Sequence, residues 1–178
     1  DDDGCCCPEV PRWRCHAFPF RELAMYKRPL VPEGFTVPER LDGAGFHLRM
    51  LSVHDTVKDY SAVMESEARL VGLMEPGSTW PRGLTIEDNL IDLAWHHREF
   101  TIGHSFAYTV MNDDESRCLG CCYINPSDRA DYDAVAFYWA RDVEFEAELG
   151  SAFRKFINSS WPFNRVAYPG RDIPWSKW

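Results

Sequence analysis

The apolar residues divide the chain into an irregular first segment and a longer segment with regular periods. Residues 1–45 look irregular, and four prolines within residues 16–45 break any long helix: Pro19, Pro29, Pro32 and Pro38. The apolar residues between these prolines indicate an arm that packs on a folded domain. We therefore predict an irregular N-terminal arm at residues 1–41 and one folded domain at residues 42–178.

Strand and helix periods follow one another in the first half of the domain. Residues 45–51, GFHLRML, alternate between polar and apolar positions and predict a strand. Ser52 is placed to cap a helix that continues to about residue 73, because apolar residues then recur at helical spacing. Thr85 is placed to cap a second helix that begins at Ile86.

The period changes to that of strands in the second half of the domain. Residues 105–111 and 117–125 flank the polar turn NDDES, which predicts an antiparallel hairpin. A third apolar strand at residues 134–140 leads through an acidic turn into a helix, and a short strand follows at residues 164–168. This order predicts an α/β (α+β) fold, with a mixed, mostly antiparallel twisted sheet flanked by helices.

These segments together resemble the GNAT superfamily, the GCN5-related N-acetyltransferases. The resemblance covers about residues 41–168 and rests on the stretches FHLRMLSVHDTVKDYSAVM, SFAYTVMNDDESRCLGCCYINP and AVAFYWARDVEFEAELGSAFRKFI. The ending WPFNRVAYPGR resembles that of a bacterial subgroup. The resemblance implies a GNAT-like N-acyltransferase fold, acetyl-CoA or another acyl-CoA as cofactor, and transfer of the acyl group to an amine.

The turn before the main helix is where such enzymes hold the coenzyme. Their pattern is Q/R-x-x-G-x-G/A, whose bare amides wrap the pyrophosphate at a helix N-terminus. Here the pattern falls on residues 145–150, with Phe145 at the Q/R position, Glu148 at the first glycine position, and Gly150 as the matching glycine. The resemblance implies the following cofactor-binding residues: Trp139, Arg141, Val143, Phe145, Ala147, Gly150 and Ser151.

The acidic residues of this turn leave two interpretations open. Asp142, Glu144, Glu146 and Glu148 either oppose a polyanion or complement the positive end of the helix dipole. Arg141 likewise either reaches a coenzyme phosphate or pairs on the surface with Asp142 or Glu144.

Acyl transfer to an ammonium group needs a base that removes a proton before the amine attacks. Candidate bases are His97, Glu99, His104 and Asp133. We select Glu99 and His104, because they precede the hairpin, near the region where the family's acceptors lie. Tyr138 is the candidate donor to the leaving thiolate. The same residues are also typical of packing positions and of the polar face of a helix.

The charge and composition limit the classes of molecule that the chain is expected to bind. The chain carries 19 basic and 28 acidic residues, a net charge of −9. This charge argues against nucleic acid, whose binding needs Lys and Arg, and favours a small-molecule amine. No apolar run has the length of a membrane span, so no membrane association is expected. The seven cysteines and the acidic N-terminus indicate a reducing, cytoplasmic setting.

The cysteines raise the question of a metal site. They comprise Cys5, Cys6, Cys7 and Cys15 near the N-terminus, and Cys118, Cys121 and Cys122 in a predicted strand. Cys121 and Cys122 are adjacent in that strand, so they point to opposite faces and do not chelate one ion together. No second C-x-x-C and no H-x-x-x-H follows at zinc-finger spacing. We therefore predict no metal site.

The end of the chain leaves two further alternatives. The family's fold continues past the last predicted strand with another helix and two strands, which have no counterpart here. The sheet edge is therefore expected to be covered by the N-terminal arm or by a second copy of the chain in a homodimer. Trp175 and Trp178 lie in a tail that either folds back over the pocket or packs against a partner.

Two functional hypotheses follow from the sequence. The first is an N-acyltransferase that uses acyl-CoA and an amine. The second is a degenerate GNAT-like binding or regulatory module without coenzyme A chemistry, since the phosphate-binding turn departs from the family pattern. A cleft filled by Trp or Glu side chains would favour the second hypothesis.

Overall fold

The computed structural model describes residues 29–178, which form one six-stranded sheet with helices on both faces. The strands lie side by side in chain order: β1 (Arg40–Asp42), β2 (Phe46–Met50), β3 (Phe106–Asn112), β4 (Cys118–Asn125), β5 (Ala134–Ala140) and β6 (Val166–Ala167). Neighbours from β1 to β5 are antiparallel, and β6 is parallel to β5. The predicted mixed, mostly antiparallel sheet is confirmed.

The helices begin where the sequence places capping residues. They are α1 (Thr56–Glu65), α2 (Glu67–Leu70), α3 (Ile86–Thr101) and α4 (Val143–Ser160). Ser52 forms a capping box with Asp55 ahead of α1, and Thr85 forms one with Asp88 at the start of α3. The first helix is shorter than predicted, because the backbone leaves the helical region at Ser66 and a separate turn of helix follows. No helix within residues 29–178 is both long and apolar enough to cross a membrane.

The two faces of the sheet carry separate apolar layers. The first lies under α4, where Leu149 and Phe153 pack against strand residues such as Cys122 and Tyr138. The second lies under the remaining helices and contains Cys121 and Trp139, the strand neighbours of those two residues. Because both faces of the central strands are buried in these layers, the sequence shows nearly continuous apolar strands.

The described part of the N-terminal arm covers one edge of the sheet. Leu30 and Phe35 pack against the first apolar layer, and β1 pairs with β2. This edge lies opposite β6, so residues 29–42 do not cover the edge for which the arm was predicted. The rest of the arm prediction, including Cys5, Cys6, Cys7 and Cys15, falls outside the described residues.

The C-terminal tail folds back onto the domain. The Trp175 ring stacks on Phe137 of β5, with ring centroids 6.3 Å apart, and the Trp178 ring lies 5.6 Å from Tyr132. The tail therefore packs on its own domain, but neither tryptophan lies over the predicted coenzyme site at the start of α4.

A β-bulge interrupts the pairing of β3 with β4. Val110 lies opposite Gly120 and Met111 lies opposite Cys118, so Leu119 is an extra residue in β4. A side chain at Gly120 would collide with the carbonyl oxygen of Trp139. The bulge brings Cys118 and Cys121 to the same face of the sheet, whereas residues three apart in a regular strand face opposite ways.

We expect Gly150→Ala to lower the free energy of unfolding by about 1–3 kcal/mol, a cost typical of overpacking. A Cβ atom at this position would lie 2.5 Å from the Tyr138 hydroxyl oxygen. The higher helix propensity of alanine, about 1 kcal/mol, offsets part of the loss. Urea denaturation of Gly150→Ala, Tyr138→Phe and the double variant measures the coupling. If Gly150→Ala is as stable as the natural chain, the close approach of α4 to Tyr138 is wrong.

Candidate functional site

A pocket of about 840 Å³ lies at the N-terminus of α4, between the end of α1 and the bulge in β4. Backbone N–H groups of a helix N-terminus point outward and favour negative charge. The pocket therefore occupies the position at which the sequence predicts coenzyme binding. Its lining residues are Glu65, Ser66, Arg117, Leu119, Arg141, Asp142, Val143, Glu144 and Phe145.

Arg141 is the best-anchored cation of this pocket. Its Nη1 donates to the Cys118 carbonyl at 3.1 Å, and its guanidinium pairs with the Glu65 carboxylate, which also lies 3.6 Å from Arg117. Hydrogen bonding from Arg141 lowers the pKa of Glu65. The predicted surface pairing of Arg141 with Asp142 or Glu144 was wrong, because the Arg141 side chain is largely buried and pairs with Glu65 at the end of α1 instead.

Two buried polar atoms at the pocket wall have no hydrogen-bond partner within residues 29–178. They are the hydroxyl oxygen of Ser66 and Nε of Arg141. An unsatisfied buried donor costs about 1–3 kcal/mol, so such atoms indicate a place for an acceptor. A ligand with phosphate oxygens would supply that acceptor.

The four acidic residues of the turn point in different directions. Asp142 caps α4 by accepting a hydrogen bond from the Glu144 amide at 2.8 Å, and Glu144 and Glu148 are exposed. Glu146 instead turns inward along the edge of β5. Glu146 is therefore the acidic residue that most directly opposes a bound polyanion. Asp142 instead stabilises the start of α4.

The edge of β5 that faces β6 is paired over two residues only. β6 pairs with Ala134 and Val135, and the two strands separate beyond that point. On the separated part, Arg171 Nη2 donates to the Tyr138 carbonyl at 2.8 Å. The Ala140 amide donates to Glu146 Oε2 at 3.2 Å. Side chains therefore satisfy backbone groups that a neighbouring strand would otherwise hold.

Arg69, Glu146 and Arg171 form a connected network along this edge, which we call the β5 clamp. Glu146 Oε2 accepts from Arg69 Nη2 at 2.7 Å and Glu146 Oε1 accepts from Arg171 Nη2 at 2.8 Å. Arg69 also donates to the Ala140 carbonyl at 2.9 Å, and the Arg171 guanidinium lies 3.8 Å from the centre of the Tyr138 ring. A cavity of about 80 Å³ remains beside these residues.

The structure separates the predicted cofactor-binding residues into groups. Arg141, Val143 and Phe145 line the pocket, although the Phe145 ring also packs edge-on against Phe46. The Trp139 side chain is fully buried on the opposite face of the sheet, so it does not reach the pocket. The remaining three lie further along α4: Ala147 and Ser151 are exposed, and Gly150 is buried against Tyr138.

The structure brings two of the three predicted catalytic residues, Glu99 and His104, into contact but leaves Tyr138 apart from them. Glu99 Oε2 lies 2.5 Å from His104 Nδ1, and Glu99 Oε1 accepts from Arg98 at 2.8 Å. Glu99 is buried, which corrects its placement on the polar face of a helix. This pair precedes β3 and lines neither cavity, whereas Tyr138 lies two strands away and faces α4.

The other two candidate bases also lie elsewhere. Asp133 accepts hydrogen bonds from the amides of Asn164 and Arg165 and so fixes the segment that leads into β6. The carbonyl of His97 accepts from Thr101 within α3. Neither residue lines the pocket at α4 or the cavity at the clamp.

Sequence reasoning missed Glu65, Ser66 and the two arginines of the β5 clamp. Arg69 and Arg171 stand about 100 positions apart in the chain, and no local pattern connects them. The sole signal was Arg171 in the YPGRD stretch, an arginine that follows the Pro-Gly turn after the last strand.

Several solved acetyltransferase structures superpose on this chain. The ribosomal-protein-S5-alanine acetyltransferase of Vibrio fischeri gives a TM-score of 0.58 at 13% identity, over 72% of each chain. An acetyltransferase of Salmonella typhimurium that modifies the N-terminal serine of a 50S ribosomal subunit protein gives 0.57 at 11% identity, over 73% of this chain and 74% of that one.

A third match has a ligand bound. The microcin C7 self-immunity acetyltransferase MccE, in complex with acetyl-CoA and AMP, gives a TM-score of 0.56 at 12% identity, over 71% of this chain and 69% of that one. No protein-family model matches the sequence. No curated protein sequence matches it significantly. At these identities the likeness is one of fold, and the chain has the fold of the GNAT acetyltransferases.

Proposed function

We propose that the chain is an N-acyltransferase that moves an acyl group from acyl-CoA to an amine. The pocket at the N-terminus of α4 carries this proposal, because Ser66 Oγ and Arg141 Nε are buried there without an acceptor among the described residues. Phosphate oxygens accept from such donors. The pocket volume of about 840 Å³ lies within the range of about 300–1,000 Å³ that is typical of ligand sites.

Ser66 and Arg141 fit the phosphate end of the coenzyme. The edge of β5 fits its pantetheine arm once the β5 clamp opens. The arm carries amide groups, which pair with an exposed strand edge as an added strand does. In the structure the clamp holds those backbone positions at Tyr138 and Ala140. The side chains of Arg69 and Arg171 are 37% and 25% exposed, so both lie at the surface, where they can exchange partners.

In this proposal the protein acts mainly by positioning. The bound coenzyme supplies the activated acyl thioester. Ser66, Arg141 and the amides of the first turn of α4 hold its phosphates, and the β5 edge aligns its arm. The amine is proposed to be cationic, because the net charge of −9 attracts such acceptors. The matched enzyme of Vibrio fischeri is an S5-alanine acetyltransferase and that of Salmonella typhimurium modifies an N-terminal serine, and both descriptions agree with an amine acceptor for this chain.

Val143→Asp tests the pocket and is expected to weaken acetyl-CoA binding about threefold to tenfold, because it places a carboxylate beside the phosphates. Val143 is 64% exposed, so the substitution leaves the core intact. Ile91→Asp on α3 is the matched control, since Ile91 is 66% exposed and the charge changes equally.

Isothermal titration calorimetry of the natural chain and both variants gives the comparison. Equal affinities of Val143→Asp and Ile91→Asp would show that the pocket does not hold the coenzyme. A natural chain that neither binds acetyl-CoA nor acetylates any member of an amine panel would overturn the proposed activity.

A second candidate function is the degenerate GNAT-like binding or regulatory module. The β5 clamp favours it, because Glu146 fills the strand edge in the way expected of a chain without coenzyme chemistry. The two candidates differ in whether the clamp opens for acyl-CoA.

A further inference from the structure

A buried cluster of one carboxyl group and two thiols lies on the face of the sheet opposite α4. Asp59 of α1, Cys118 and Cys121 of β4 are all buried, and their ligand atoms all lie within 4.8 Å of one another. The bulge in β4 creates the cluster, since it turns Cys118 and Cys121 to one face. The cluster lies in the second apolar layer, away from the pocket at α4.

The spacing of one pair of ligand atoms, Cys121 Sγ and Asp59 Oδ1, is close to that of a tetrahedral zinc site. With Zn–S bonds of about 2.3 Å and Zn–O bonds of about 2.0 Å, a sulfur and an oxygen ligand lie about 3.5 Å apart. Cys121 Sγ lies 3.3 Å from Asp59 Oδ1. The Cys121 thiol proton lies between this sulfur and the Asp59 oxygen. A small cation can therefore take the place of the proton with little movement of either side chain.

No arginine, lysine or histidine within residues 29–178 forms an ion pair with Asp59. Among the described residues its carboxyl oxygens accept from Cys121 Sγ and from Asn89 Nδ2, at 3.3 Å and 3.0 Å. Both donors are neutral, while a buried carboxylate is normally paired with a charged donor or a metal ion. Asn89 holds the second carboxyl oxygen and leaves the first one facing the thiols, as an outer-shell partner of a metal ligand does.

A nearby hydroxyl group and the start of α1 both suit a metal ion bound by these three ligands. The Thr109 hydroxyl oxygen lies 3.5 Å from Cys118 Sγ and is a candidate for the fourth donor. Two thiolates, one carboxylate and a divalent ion together leave one negative charge. Asp59 lies in the first turn of α1, where the helix dipole stabilises that charge.

We propose that Asp59, Cys118 and Cys121 form a structural site for a soft divalent metal ion, with zinc as the ion that their donor atoms select. Two thiolates and one carboxylate are ligands that suit zinc rather than magnesium or calcium. The ion would tie α1 to β4 at the bulge and so contribute to folding. Cys122 takes no part, because it faces the opposite apolar layer.

The test uses the full chain with Cys5, Cys6, Cys7 and Cys15 replaced by serine, so that only the three strand cysteines remain. The protein is refolded under reducing conditions with Zn²⁺ or Co²⁺ and freed of excess metal. We expect about one ion per chain by elemental analysis. We also expect thiolate-to-cobalt charge-transfer absorption and a higher Tm than in the metal-free protein.

Matched variants in the same background separate the site from unspecific thiol binding. Cys122→Ser is expected to retain the ion, because that equally buried thiol lies on the other face. Cys121→Ser and Asp59→Asn are expected to bind at least tenfold more weakly. Asp59→Asn keeps the shape of the side chain, so it decides the question where Cys121→Ser does not fold.

Two results would overturn the proposal. One is a refolded background protein that retains neither zinc nor cobalt and shows no thiolate-to-metal absorption. The other is a Cys122→Ser variant that loses the ion as completely as Cys121→Ser does.

Discussion

Glu146→Ala is expected to tighten acetyl-CoA binding at least about tenfold, which corresponds to about 1.4 kcal/mol. The substitution removes a carboxylate from the path of a polyanion and frees the Ala140 amide. It also releases Arg69 and Arg171, whose guanidinium groups both donate to Glu146 in the closed clamp. Released guanidinium groups favour an anionic ligand. Calorimetric titration with acetyl-CoA measures the change.

Glu148→Ala is the matched control for this prediction. Glu148 lies on the same helix two residues further along, carries the same charge and is exposed. Because it lies outside the clamp, we expect its replacement to change the affinity by less than about threefold. Equal gains from both variants would mean that overall charge, and not the clamp, limits binding.

The outcome also separates the two candidate functions. Binding by the natural chain and stronger binding by Glu146→Ala would show a working acyltransferase pocket with a clamp that opens at a cost. Binding by Glu146→Ala alone would show a pocket closed in the natural chain and would favour the module. If neither chain binds, the unpartnered donors at Ser66 and Arg141 serve a different ligand.

The sheet and its helices could be predicted because their signals are local. Apolar runs bounded by polar turns marked the central strands, and Ser52 and Thr85 marked the helix starts through their own hydrogen bonds. The break at Ser66 was missed, since apolar spacing continues across it and no proline or glycine marks the end of α1.

The candidate site was predicted only in part, because its decisive features depend on tertiary structure. The bulge at Leu119 puts Cys118 on the same face as Cys121, and a one-residue shift of this kind leaves no trace in the apolar pattern. Glu99 is buried in contact with His104, which lies just past the end of α3, and the helical pattern alone does not show this contact. Arg171 acts on β5 only after the tail folds back.

Asp55→Ala is expected to lower the free energy of unfolding by about 3–5 kcal/mol, the cost of leaving a buried ion pair half empty. Asp55 is 2% exposed and accepts from Arg49 Nη1 and Nη2 at 3.0 Å and 2.8 Å. It also accepts from the Ser52 amide, which starts the turn into α1. Arg49 of β2 also binds Glu115 at the tip of the β3–β4 hairpin. The substitution therefore weakens contacts among β2, the start of α1 and this hairpin.

The pH dependence of this loss is a second part of the prediction. Burial opposes the charged form of Asp55, but hydrogen bonds from Arg49 and Ser52 outweigh burial and lower its pKa. A carboxyl group with a lowered pKa in the folded state stabilises the protein above the unfolded pKa of about 3.9, and this contribution disappears as the pH falls through the folded value. The difference between Asp55→Ala and the natural chain is therefore expected to be full at pH 7 and to shrink below pH ~4.

Asp42→Ala supplies the control, because Asp42 pairs with Arg40 at 2.7 Å but its side chain is 70% exposed. Exposed pairs contribute about 0–1 kcal/mol, so this variant should remain close to the natural chain at every pH. Guanidinium denaturation at several pH values measures both variants. A loss at Asp55 as small as that at Asp42 would show that Arg49 is held by Glu115 alone. In that case the turn at Ser52, and with it the position of α1 beside the pocket, would not depend on the Arg49–Asp55 pair.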